Sequence, residues 1–288
     1  MKKINKNPKV QILLATYNGE RFLHGQLDSI VNQEYKFWEL LIHDDGSTDD
    51  TIKILKDYEK NYPKKIRLLI DQKIFSSASK NFFHLIEHRS KEANLYCLCD
   101  QDDIWHKSKL RLIIKKYNTQ DDKKPILIHS DLSLIDSKGN LLESSHNKLI
   151  KYQKNIITKE TSLYYNPVPG CAMSINSALA DKIYYCQSMV MHDWWILLCA
   201  VYANATIFYI KIPLVNYRQH SENVLGYKKI SIFILIFRLF SLDNSPAIII
   251  ISPILPIKFL SFNPPLLNLS PLNIIFRSAV LVSVLSNT

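Results

Sequence analysis

A chain of 288 residues with 47% hydrophobic and 22% charged side chains can bury a large core, which excludes a disordered or linker-like protein. Its formal charge of +10 favours polyanions, whether nucleic acid, an anionic membrane surface or a phosphate-bearing substrate, without choosing among them. Five cysteines with no CxxC pair fit reduced core thiols, and residues 5–9 leave no continuous apolar leader before Val10, so a cytoplasmic protein is expected.

Apolar strand-like runs at 10–15, 38–43, 66–70, 95–99 and 126–129 alternate with segments 21–32, 51–58, 80–88 and 107–116. In the latter, apolar residues recur at helical spacing, as Phe82, Phe83, Leu85 and Ile86 do. That rhythm predicts an α/β fold, a mostly parallel central sheet flanked by helices. The first strand ends in Ala15-Thr16-Tyr17-Asn18-Gly19, where Asn-Gly starts a loop. The second ends in His43-Asp44-Asp45-Gly46-Ser47-Thr48-Asp49-Asp50, in which Ser47 or Thr48 ahead of two acids also reads as a helix N-cap.

The run Leu95 to Cys99 passes directly into Asp100-Gln101-Asp102-Asp103. Such crowded acids repel one another unless they splay into water or a cation gathers them. A solvated loop and a divalent-metal site are both open at this point. In a parallel sheet these three polar loops emerge on one edge, where ligands bind, and that convergence favours the site.

Beyond residue 130 the pattern loosens into short strands, a Pro-Gly stretch at 166–170 and helices over 177–186 and 193–202, a half expected to build on the first. Near Lys228 the composition shifts. Residues 228–288 carry a net charge of +4 and are otherwise rich in Ile, Leu, Phe, Ser and Pro. Pro246, Pro253, Pro256, Pro264, Pro265 and Pro271 interrupt any span of about 20 apolar residues. Two readings stay open: a peripheral segment in which Lys228 and Lys229 beside Ile232, Phe233, Ile236 and Phe237 meet an anionic leaflet, or helices that close the core.

The motifs Thr16-Tyr17-Asn18-Gly19, Asp44-Asp45-Gly46-Ser47-Thr48-Asp49 and Asp100-Gln101-Asp102-Asp103-Ile104-Trp105 resemble, in order and spacing, those of family 2 glycosyltransferases, inverting enzymes of the A-type fold. Lys80-Asn81-Phe82, Gly170-Cys171-Ala172-Met173, His192-Asp193-Trp194-Trp195 and Tyr217-Arg218-Gln219-His220 with Asn223 and Gly226 extend the resemblance. The whole set is most similar to the rhamnosyltransferase-like branch that builds bacterial surface polysaccharides.

The resemblance implies a nucleoside-diphosphate sugar donor, a saccharide or lipid-linked saccharide acceptor and a divalent metal, Mn or Mg. It implies a catalytic domain over 1–227, with a nucleotide-binding half at 8–130 and an acceptor-side half at 131–227, followed by the apolar segment 228–288. Asp102 matches the metal ligand, with Asp100 at the metal or ribose and His220 as a further contact. Ala15, Thr16 and Tyr17 line the nucleotide pocket, and Asp45 contacts the base. Lys80 and Arg218 offer charge to the diphosphate, and Asp103 matches a position nearer the sugar, with a helix N-cap as its alternative. Asp193 matches the catalytic base, beside indoles that can form a sugar-stacking wall, with an ordinary helix N-cap and Trp194 and Trp195 in the core as its alternative.

Relatives often carry glycine where Ser76 or Ser77 stands, and the resemblance stops at Gly226. The rivals are an inactive relative that only binds the nucleotide sugar and a metal-dependent phosphohydrolase or nucleic-acid enzyme. No basic groove interleaved with aromatics is evident, so no nucleic-acid partner is expected. Work on a lipid-linked acceptor would place the protein at the inner face of the plasma membrane.

Overall fold

The computed structural model describes residues 7–220 except 72, 154–155 and 187–190, together with the backbone of 235–240 and 246–251. Asn223, Gly226, Lys228, Lys229, Ile232 and Phe233 lie outside the described residues.

The first half comprises β1 (Val10–Thr16), α1 (Glu20–Val31), β2 (Trp38–Asp44), α2 (Thr51–Asn61), β3 (Ile66–Leu68), α3 (Ala78–Glu87) and β4 (Leu95–Cys99). β3, β2, β1 and β4 lie side by side and parallel. Val10, Ile12 and Leu14 of β1 pack with Leu23, Leu27 and Ile30 of α1 and with Ile54 and Leu55 of α2, whereas Leu13 packs with Phe82, Leu85 and Ile86 of α3. With helices on both faces, these strands are apolar at nearly every position instead of alternating.

The second half adds β5 (Ile104–Trp105), α4 (Lys109–Tyr117), β6 (Ile126–Ile135), β7 (Leu141–Glu143), α5 (His146–Leu149), β8 (Met173–Asn176), α6 (Ser177–Ala180), α7 (His192–Tyr202) and β9 (Thr206–Arg218). It extends the same sheet, in the order β3-β2-β1-β4-β8-β6-β9-β5 with β7 on β6, so the sheet is mixed beyond β4. β6 runs in the expected direction but does not pair with β4, because β8 lies between them, antiparallel to both. Asn176 secures that insertion: its side-chain Oδ1 accepts from the Ile126 N–H at 2.9 Å, and its side-chain Nδ2 donates to the Asp122 and Lys124 carbonyls. A four-residue strand gives little periodicity by which to find it. Where Asp131 faces Pro213 the β6–β9 register shifts, since proline has no N–H for the ladder.

The helix expected over 177–186 is corrected to the single turn Ser177–Ala180. Lys182 and Ile183 close tight three-residue bonds back to Leu179 and Ala180, and the Tyr184 carbonyl is taken by the Trp195 indole at 2.8 Å. The apolar tail contains β10 (Leu235–Phe240) and β11 (Pro246–Ile251), an antiparallel pair rather than helices at these positions. No described helix is long and apolar enough to cross a membrane.

Candidate active site

The ends of β1, β2 and β4 share one edge: Thr16 pairs with Asp44, and Leu14 pairs with Cys99. The loops that follow are tied to one another by polar groups. Asp44 accepts from the Thr16 hydroxyl, from the Gly46 and Ser47 amides and from the Ser47 hydroxyl. Asn18, at a left-handed φ of 46°, accepts from the Thr48 amide, while its own N–H donates to the Ser47 hydroxyl. Ser47 and Thr48 therefore stitch loops together instead of capping α2, which starts at Thr51.

Asp45 is buried, and its two carboxylate oxygens accept from the Phe75 amide at 2.5 Å and the Ser77 amide at 2.9 Å. The chain can reach this position because Ser76 adopts a φ of 51°. Ser76 thus holds the left-handed conformation that glycine favours. Lys80 is exposed in the first turn of α3, where Ser77 caps the helix.

Behind β4 the acids divide by environment. Asp102 is partly exposed, and His220 Nε2 stands 2.8 Å from its carboxylate. Asp100 is half-buried. Burial, with the charges of Asp102 and Asp193, pushes its carboxyl up to about 7, against an opposing pull from Lys109. Asp103 is fully buried and accepts from the Arg218 amide at 3.1 Å. Burial, and then the neighbouring Asp102 and Asp100, pushes it well above the usual carboxylate range. Asp103 does not cap α4, whose N-cap is Ser108. Burial likewise raises the Cys171 thiol, so although donor atoms of Asp100, Asp103 and Cys171 lie within 4.8 Å, two of the three favour their protonated forms. Asp102 presents a carboxylate with access to solvent and His220 beside it, but among the described residues Asp100, Asp102 and His220 are not a set whose donor atoms all converge within 4.8 Å. The repulsion between Asp100 and Asp102 is one that a divalent ion would relieve, and two carboxylates are the oxygen donors that Mn or Mg takes.

Arg218 is buried, and its guanidinium donates to the carbonyls of Asp102, Asp136 and Ser137. It thereby anchors the backbone of Asp102. Asp193 lies in the first turn of α7, accepting from the Gly170 amide at 3.1 Å and the Trp194 amide at 2.6 Å. Gly170 must lack a side chain here, because a Cβ would stand 2.8 Å from His192 Nε2. The buried Trp195 packs edge-on against the exposed Tyr184, while the half-buried Trp194 donates its indole N–H to the Ser162 carbonyl.

A model of glycosyl transferase family 2 matches residues 11–179, and those residues include the three loops just described. The chain belongs to that family. It is 29% identical over 232 residues to the dTDP-rhamnosyl transferase RfbG of Shigella flexneri, covering 74% of this chain and 73% of the relative. Within the family it is therefore rhamnosyltransferase-like, and it is a glycosyltransferase. S. aureus TarS 1–349, solved in complex with UDP-GlcNAc, superposes with a TM-score of 0.58 at 16% identity, over 77% of this chain and 62% of that one. A mannosyltransferase from Pyrobaculum calidifontis, solved with GDP-Man and Mn2+, gives 0.51 at 14% identity over 73% and 56%. These structural likenesses concern the A-type glycosyltransferase fold.

One residue escapes the family's motifs. Lys109 is fully buried, donates to the Cys171 carbonyl at 2.7 Å and sits 3.5 Å from the Trp105 ring centroid. Burial lowers its ammonium, and it is the cation that acts on Asp100 and Asp103 from within. A signal was present: Lys109 shares the spacing of Leu110, Ile113, Ile114 and Tyr117, which places it on the buried face of α4.

Proposed function

We propose that this glycosyltransferase moves a deoxyhexose, rhamnose, from a thymidine diphosphate donor to a surface polysaccharide or lipid-linked saccharide, inverting the anomeric centre at the inner face of the membrane. The likeness to a dTDP-rhamnosyl transferase over three quarters of the chain carries the donor assignment. Ala15, Thr16, Tyr17 and Asp45 line the nucleotide pocket, with Asp45 acting from a rigid position because two backbone amides hold its carboxylate. Lys80, exposed and cationic, faces the diphosphate.

Asp102, Asp100 and His220 would hold Mn or Mg, which when bound neutralises the charge of the departing diphosphate. Arg218 keeps Asp102 in register through its backbone carbonyl. Inversion requires one base to take the acceptor proton, and Asp193 serves as that base. The Gly170 and Trp194 amides orient its carboxylate. Asp103 supports the sugar side from behind through the Arg218 amide.

The test is turnover of dTDP-rhamnose with and without Mn. Asp193→Asn is expected to lose roughly 100-fold to 10,000-fold in rate while still binding donor. Asp102→Ala is expected to lose the response to Mn. Full turnover by both variants would sink the assignment.

A further inference from the structure

Three side chains outside this machinery meet near the nucleotide pocket. His43 belongs to β2, Asp71 follows β3 and His84 belongs to α3, and their donor atoms all lie within 4.8 Å of one another. Asp71 presents one carboxylate oxygen to His43 Nε2 at 3.2 Å and the other to His84 Nε2. Both imidazoles are almost wholly enclosed, at 2% and 3% exposure, whereas Asp71 keeps 22%.

The orientation of Asn81 fixes the proton on His43. The Asn81 amide nitrogen donates to the His43 carbonyl at 3.2 Å and lies 3.5 Å from the Thr16 carbonyl, so its oxygen faces His43 Nδ1, at 2.8 Å, as an acceptor. His43 Nδ1 must then carry the hydrogen. A neutral His43 consequently turns the bare lone pair of Nε2 toward a carboxylate, an opposition that either a metal ion between them or a proton on Nε2 relieves. Holding one nitrogen of an imidazole with an amide carbonyl so that the other is free to ligate is the usual outer arrangement around a bound metal. Phe75 supplies an apolar wall, its ring centroid 5.7 Å from that of His43 and 5.1 Å from that of His84.

We infer that His43, Asp71 and His84 bind a single zinc-class divalent ion, at a site separate from the acids around Asp102. Two imidazoles and one carboxylate select a borderline transition metal over Mg. Three protein donors, with solvent access only along Asp71, leave one position for water in a tetrahedral shell. The ion's role is to clamp the segment after β3, whose Phe75 and Ser77 amides hold Asp45. This inference does not rest on the donor or acceptor assigned above, and its failure would leave them intact.

The test uses the full chain, stripped with a chelator, loaded with zinc alone and passed through gel filtration before metal analysis. The parent and Asp102→Asn are expected to retain one zinc per chain. His84→Gln and Asp71→Asn, each with native circular dichroism, are expected to bind it at least roughly 10-fold more weakly. Cobalt in place of zinc should give the parent the visible bands of a tetrahedral nitrogen–oxygen site, a readout that does not depend on any variant folding. A parent that retains no zinc and shows no such bands overturns the inference, as does undiminished binding in both folded variants. A pure hydrogen-bond network with a protonated His43 would give the first of these results.

Discussion

The side chain of Gln101 grips the backbone of Tyr17 with two hydrogen bonds, accepting from its N–H and donating to its carbonyl, each at 2.8 Å. The same amide occupies the space over Gly19, where a Cβ would stand 2.4 Å from its oxygen. The acidic loop after β4 thus sets the position of the loop after β1. The only uncharged member of the Asp100–Asp103 tetrapeptide is what joins the acids to the loop after β1.

Gln101→Ala should release Tyr17, and Gly19→Ala should displace Gln101 and produce the same defect. Each is expected to weaken donor binding by roughly 10-fold, the scale of about 1–2 kcal/mol for lost hydrogen bonds of this kind. In calorimetric titration the double variant should be little worse than either single one, because both changes break the same pair of contacts. Additive losses would show that Gly19 matters for another reason.

Lys109→Met should destabilise the fold by roughly 1–3 kcal/mol, since it strands the buried Cys171 carbonyl and removes the cation that opposes the charge of Asp100. Denaturant midpoints of the parent and variant measure this. An unchanged midpoint would mean that Asp103 and its neighbours already hold enough protons to need no cation.

Arg218→Lys keeps the charge but loses the forked contact with the Asp102, Asp136 and Ser137 carbonyls. The expected result is a higher Mn concentration for half-maximal activity, with the nucleotide affinity measured without metal unchanged. If the nucleotide affinity falls instead, the guanidinium acts on the diphosphate directly.

His129 is buried against Tyr152 and Tyr209, and burial lowers its imidazole to about 3. Between the ordinary histidine value near 6.5 and about 3, the unfolded chain therefore binds a proton that the folded chain refuses. Stability from this residue is complete above pH 6.5 and falls as the pH drops through that window. His129→Phe should remove up to about 1.4 kcal/mol per pH unit of that slope, read from urea midpoints across the window. Parallel slopes in the parent and variant would place the proton elsewhere.

The α/β class, the first four strands and the three polar loops that reach one edge are legible in the order of residues alone. Those features depend on local periodicity and on turn residues such as Asn18-Gly19, which act over a few positions. The motifs also marked Asp100, Asp102 and Asp193 as residues to bring together. What each polar group faces emerges only once the chain is folded. The insertion of β8 between β4 and β6, the backbone anchoring done by Arg218, the enclosure of Asp103 and the burial of Lys109 all depend on partners far along the chain. The acids of Asp100–Asp103 are neighbours in sequence, but burial separates their chemistry: Asp102 keeps access to solvent and His220, Asp100 is pushed up to about 7, and Asp103 is sealed behind them. Charge is costly away from water, and depth below the surface is not written in the order of four residues.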